Sequence, residues 1–155
     1  MNYKRLIISL ALPLLAGFVG SFFTAPAIST WYAELVKPSF NPPGWIFGPM
    51  WTVLYILMGI SVYLVWQQVD KNKKAKLALW FFWIHLFFNG IWSILFFGLQ
   101  NTALAFADIL IMVALIIVLI ILFVRINKWA AWLLVPYLLW VGFATVLNYS
   151  IWMLN

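Results

Sequence analysis

Within the apolar runs of this 155-residue chain, a small set of side chains could do chemistry. His85, Asn89, Trp92, Ser93 and Phe96 recur at i, i+4, i+7, i+8 and i+11, one stripe of an α-helix. Asn101, Ala105, Asp108 and Met112 make a second stripe, and Tyr137, Trp140, Ala144, Asn148 and Trp152 a third. Trp51, Tyr55, Met58 and Gly59 form another, as do Ser9, Pro13, Gly17, Gly20 and Thr24. In hydrocarbon an Asp at a helix centre costs about 2.5–3.5 kcal/mol on insertion scales, so these faces are expected to look at one another. Indoles and phenols interrupted by a few amides are the chemistry of a mostly apolar ligand site. Counting 1.5 Å per residue from one end, Trp51, Trp92, Asp108 and Asn148 all fall roughly 8–12 Å deep, with Trp140 roughly 20 Å down as a floor. A cavity of that length suits a flat, elongated or macrocyclic molecule.

Other chemistries find less support. There is no Ser/His/Asp set, no pair of carboxylates, no phosphate-binding glycine loop and no metal-ligand spacing. His85 could ligate a metal or haem, but no second His, Cys or Met shares its level. A hydrogen-bonded histidine between helices is the favoured reading. Asp108 has two readings that stay open: a proton-relay or ligand contact, or a cap at the start of a helix paired with Asn89, His85 or a loop backbone donor. Trp31, Trp66, Trp80, Trp129, Trp132 and Trp152 read as interfacial belt residues. Ala16 with Gly20, and Gly17 with Ser21, are small residues four apart that let another span, or another subunit, approach closely.

The elements that must hold these groups follow from composition. With 67% hydrophobic and 8% charged residues and 11 Trp, a chain this short cannot fold its apolar surface inward. A bilayer is the solvent for much of it. The chain reads as one all-α integral membrane domain over residues 1–155, with spans at about 6–27, 44–66, 77–99, 103–124 and 129–153. Ala25-Pro26-Ala27 resembles a signal-peptidase site, but the preceding apolar run is too long for a signal core and is read as a retained span. Residues 28–43 are a loop rich in proline and aromatics. Pro38, Pro42 and Pro43 forbid a continuous helix there, and Trp31, with Trp45 just beyond, makes the stretch too aromatic for a solvated linker. We read it as a structured lid feeding a helix near Pro43 or Gly44. Lys4, Arg5, Lys71, Lys73, Lys74, Lys76, Arg125 and Lys128 fall on the amino-terminal side and only Lys37 on the other, predicting a cytoplasmic N-terminus and an outward lid. These scattered basic residues form no nucleic-acid patch. Cysteine is absent, which excludes disulfides and thiolate chemistry.

Three stretches carry a family resemblance. Lys37-Pro38-Ser39-Phe40-Asn41-Pro42-Pro43-Gly44-Trp45, running on through Gly48-Pro49-Met50-Trp51-Thr52 to Met58-Gly59, closely resembles the TspO/MBR family of tryptophan-rich sensory and translocator proteins. So do Asn89-Gly90-x-Trp92-Ser93-x-x-Phe96-Phe97, Asp108, and Pro136-Tyr137-x-x-Trp140-x-x-Phe143-Ala144-Thr145-x-Leu147-Asn148. The resemblance implies a five-helix bundle, often homodimeric, whose first loop closes over a pocket for porphyrins such as protoporphyrin IX and for benzodiazepine-type drugs. Carried over by motif, Tyr32 and Pro42 come from the lid, and Trp51, Asn89, Trp92, Ala144, Leu147 and Asn148 line the pocket, with Trp140 deeper; Tyr55 and Asp108 join them from the helix stripes. Some bacterial members are said to degrade protoporphyrin in light at tryptophans matching Trp51 and Trp140. No Lys or Arg follows Tyr149, so the pattern proposed for cholesterol is incomplete, which counts against a sterol. The expectation is a receptor for tetrapyrroles or drug-like molecules, needing no cofactor, in a bacterial cell membrane. Photochemical degradation ranks second and transport across the membrane third.

Overall fold

The computed structural model describes residues 2–155. Helix α1 spans Tyr3–Ile28 and the short α2 Trp31–Glu34. A 3-10 turn at Gly44–Ile46 leads into α3, Phe47–Trp66. Helix α4, Lys73–Ser93, ends in a π-helical turn at Ile94–Gly98; α5 is Thr102–Val124 and α6 Lys128–Leu154. Among the described residues there is no strand. Five of the helices are long and apolar enough to cross a membrane, as the composition requires.

Asparagine starts four of the five long helices. Asn2 accepts from the Arg5 N–H, Asn72 from Lys74, Asn101 from Leu104, and Asn127 from both Trp129 and Ala130. Each satisfies a backbone donor that the first turn of the helix leaves unpaired. Helix α3 is the exception. There Pro43, with φ −56° and ψ 138°, holds the chain extended until the 3-10 turn begins.

The long helices close into a ring in the order α1, α3, α6, α5, α4, with α4 returning to α1 and also touching α3. Toward one end the ring is filled by Val62, Phe82, Ile116, Leu119, Phe123 and Leu134, all fully or almost fully buried. Close approach is set by glycine: a Cβ on Gly59 would lie 2.8 Å from the Ser9 carbonyl oxygen and 2.9 Å from Leu10 Cα, both backbone atoms of α1. The small residues of α1 serve neighbours within this chain, since Gly17 admits the Tyr55 ring of α3 and Gly20 faces Ser93 of α4.

The two ends of the ring are tied differently. Arg5 pairs with Asp70 at 2.9 Å and donates to the Trp66 carbonyl at 3.0 Å, joining the N-terminus to the loop after α3. At the other end Asn155 accepts from the Val36 N–H and donates to its carbonyl, joining the last residue to the first loop.

Candidate functional site

Opposite the filled end, the ring opens into a cavity of ≈ 490 Å³, within the range of small-molecule sites. Helix α1 gives it a wall of small residues, Gly17, Gly20 and Ser21 among them. The remaining helices supply the aromatic and amide groups, in two tiers.

The upper tier belongs to α4 and α6. Trp92 stacks on Phe96 at 5.0 Å between ring centres and 20° between planes. Its indole Nε1–H donates to Asn148 Oδ1 at 3.2 Å, and Asn148 Nδ2 donates in turn to the Thr102 carbonyl at 2.9 Å. From the first loop, Tyr32 packs on Phe96 and Phe97 and donates its hydroxyl to Asn41 Oδ1 at 2.8 Å. Burial raises the Tyr32 phenol above its usual range, so the hydroxyl keeps its proton until more alkaline pH.

The lower tier centres on α3. Trp51 stacks on Tyr55 at 5.5 Å and meets Tyr137 edge-on at 6.2 Å. Tyr55 donates to Asn89 Oδ1 at 3.0 Å, Asn89 Nδ2 donates to the Tyr137 hydroxyl at 2.9 Å, and that hydroxyl lies 2.7 Å from His85 Nε2. His85 is therefore a fully buried partner between helices. Between the tiers Trp140 lies against Phe47 at 6.1 Å and Phe143 at 5.6 Å, its indole nitrogen buried without a partner.

Two tiers replace the single level expected from residue counting. Tyr137, which Trp51 touches, stands eleven residues before Asn148 on α6, roughly 16 Å along the axis. Helix α3 thus begins lower than α6 ends, because residues 35–46 descend before the first turn forms. For the same reason Trp140 is no floor beneath Trp51. The floor is made by Tyr55 and Asn89, backed by Tyr137.

Of the residues singled out in the sequence, Tyr32, Trp51, Tyr55, Asn89, Trp92, Trp140, Ala144, Leu147 and Asn148 all border the cavity. Pro42 and Asp108 do not. The Pro42 carbonyl accepts from the Asn41 amide in the first loop. On α5 it is Ile109 and Met112 that reach the cavity, while Asp108 is 5% exposed with one oxygen, Oδ2, buried and unpaired. The capping reading of Asp108 is corrected, since Asn101 holds that place. Phe47 and Ile109 were not among the expected lining residues. Phe47 could have been found, as it precedes Trp51 by one helical turn. Of the expected belt, Trp80, Trp129, Trp132 and Trp152 are exposed, whereas Trp31 packs on Phe96 and Trp66 on Trp83. No group of three His, Cys, Asp or Glu suited to a metal occurs among the described residues.

The model of the TspO/MBR family matches residues 9–153. The chain is 44% identical over 155 residues to the tryptophan-rich protein TspO of Archaeoglobus fulgidus, covering 100% of this chain and 99% of that one. It is 41% identical over 157 residues to the protein of the same name in Chlorobaculum tepidum, with 100% and 99% covered. With the translocator protein of Homo sapiens it shares 38% identity over 141 residues, 90% of this chain and 83% of the relative.

Proposed function

The chain belongs to the TspO/MBR family, and from that premise we propose that it is a multi-pass membrane receptor that binds tetrapyrroles such as protoporphyrin IX, and benzodiazepine-type drugs, between its helices. The observation that carries the reading is the cavity of ≈ 490 Å³, walled by Trp51, Trp92 and Trp140 and marked by the amides of Asn89 and Asn148. Indole faces offer a flat macrocycle offset stacking, and the amides offer it orientation. Tyr32, buried against Phe96 and Phe97, supports a role for the first loop as the lid. The excess of basic residues at the Arg5–Asp70 end supports a cytoplasmic N-terminus, with the loop outward. Titration in darkness tests the site: Trp51→Phe should weaken protoporphyrin binding and reduce its quenching of tryptophan emission, and unchanged values for both would remove Trp51 from it.

A second reading is photochemical. Trp51 and Trp140 both border the cavity, which supports a light-dependent breakdown of bound protoporphyrin beside an oxidisable indole. Under illumination a new chromophore should form with the native chain and fail to form with Trp51→Phe or Trp140→Phe; equal bleaching by all three contradicts it. Transport ranks third, because the sequence holds no inverted repeat of the kind that alternating access uses.

A further inference from the structure

The floor of the cavity is the end of a chain of hydrogen bonds that runs away from it. Tyr55, at the cavity, bonds Asn89; Asn89 bonds Tyr137; Tyr137 bonds His85, which has no exposed surface. The directions along this chain are not independent. An amide nitrogen only donates, so Tyr137 accepts from Asn89 Nδ2 and has one hydrogen left, which goes to His85 Nε2. Nε2 is then an acceptor, and the ring's proton sits on Nδ1. At the other end Asn89 presents its oxygen to Tyr55, so the hydroxyl of this cavity-lining residue spends its hydrogen on Asn89 and keeps only lone pairs to offer.

Reversing one link reverses all of them. With the proton on Nε2, His85 would donate to Tyr137, Tyr137 would donate to Asn89, the amide would turn over, and Tyr55 would point a hydrogen into the cavity. Nδ1 is buried without a partner, so the imidazole has no bond outside this chain and its tautomer follows the orientation of the Asn89 amide. The nitrogen that carries the His85 proton and the polarity of the cavity floor are one variable.

We propose that the chain from His85 through Tyr137 and Asn89 couples the His85 tautomer to the hydrogen-bonding polarity of this site, and that in the direction the Asn89 amide takes the floor is an acceptor that selects flat aromatic ligands carrying an N–H or O–H donor. His85 touches no ligand; it is a positioning residue. The inference rests on the cavity being the binding site proposed above. Gly17 is part of the device, for a Cβ there would meet the Tyr55 ring and push the hydroxyl off Asn89.

Two measurements on the full chain test it. His85 is the sole histidine, so histidine labelled with nitrogen-15 gives one imidazole spectrum. A proton on Nδ1 with a bare Nε2 is expected; a proton on Nε2, or on both nitrogens, overturns the proposal. The second measurement uses carbazole and dibenzofuran, which are nearly isosteric and differ in one N–H donor, with binding read from tryptophan quenching. Carbazole should bind roughly fivefold tighter to the native chain, the worth of one neutral hydrogen bond. The ratio should fall toward unity in His85→Leu and in Tyr137→Phe, where the direction of the chain is no longer fixed. Because the ratio is taken within each variant, a general loss of affinity cancels. If both variants fail to fold, the native ratio and the imidazole spectrum still decide. Equal affinities for the native chain, binding of neither probe, or a ratio unmoved in folded variants overturns the proposal. Failure of protoporphyrin to bind strikes instead at the function proposed above, and leaves the imidazole spectrum to decide the direction of the chain.

Discussion

Trp92 and Asn148 are joined across the cavity by a hydrogen bond of 3.2 Å, indole N–H to amide oxygen. The same amide donates to the Thr102 carbonyl, so one side chain ties the ends of α4, α5 and α6 beside the small apolar cluster of Phe96, Ala105, Leu147 and Ile151. Asn148→Leu should therefore lower stability by about 1–3 kcal/mol, since it strands polar groups in a water-poor setting. Thermal unfolding in detergent measures this; a midpoint unchanged from the native chain would show that the tie bears no strain.

Packing between α1 and α3 depends on a missing methyl group. Gly59→Ala would force a Cβ against the backbone of Ser9 and Leu10, which cannot rotate aside. The expected loss is about 1–3 kcal/mol, as for other overpacked cores. Gly142→Ala, which meets nothing within 4 Å, is the matched comparison and should be close to neutral. Equal midpoints for the two variants would contradict the helix spacing.

Asn155 holds the first loop by two hydrogen bonds to Val36, of 2.9 and 3.0 Å. Asn155→Ala should speed both proteolysis within residues 34–40 and the release of bound porphyrin. Tyr32, packed beneath, should keep the loop from detaching altogether. Unchanged rates of cleavage and release would assign the hold on the loop to Tyr32 and its aromatic neighbours alone.

Lysine labelling of intact cells tests the orientation. Lys37, on the first loop, should react with an impermeant reagent, and Lys71, Lys73, Lys74 and Lys76 should not. The reverse pattern would invert the protein in its membrane.

Much of this organisation is legible without coordinates. Helix existence and facing follow from hydropathy and the 3.6-residue period: Asn89, Ala105, Tyr137 and Asn148 sit on the stripes that predict them and are all buried. Height is what the stripes cannot give. Counting residues assumes that every helix starts at the same level, and α3 does not, because the proline-stiffened stretch before Phe47 descends before turning. Trp51 therefore meets Tyr137 rather than Trp92. The place of Asp108 was equally hidden. Its position on a polar stripe is compatible with facing the cavity, but Ile109 and Met112 take that place. The hydrogen-bond chain to His85 needs side-chain positions from α3, α4 and α6 together, and no single stripe contains it.

The central claim is that a flat apolar ligand occupies the space between the helices, and filling that space tests it most directly. Ala144 borders the cavity beside Trp140 and Asn148. Ala144→Phe should leave the helical content intact and weaken protoporphyrin binding by about tenfold or more, a change of at least about 1.4 kcal/mol in binding free energy. A folded Ala144→Phe chain that binds protoporphyrin with native affinity would place the ligand elsewhere and contradict the account.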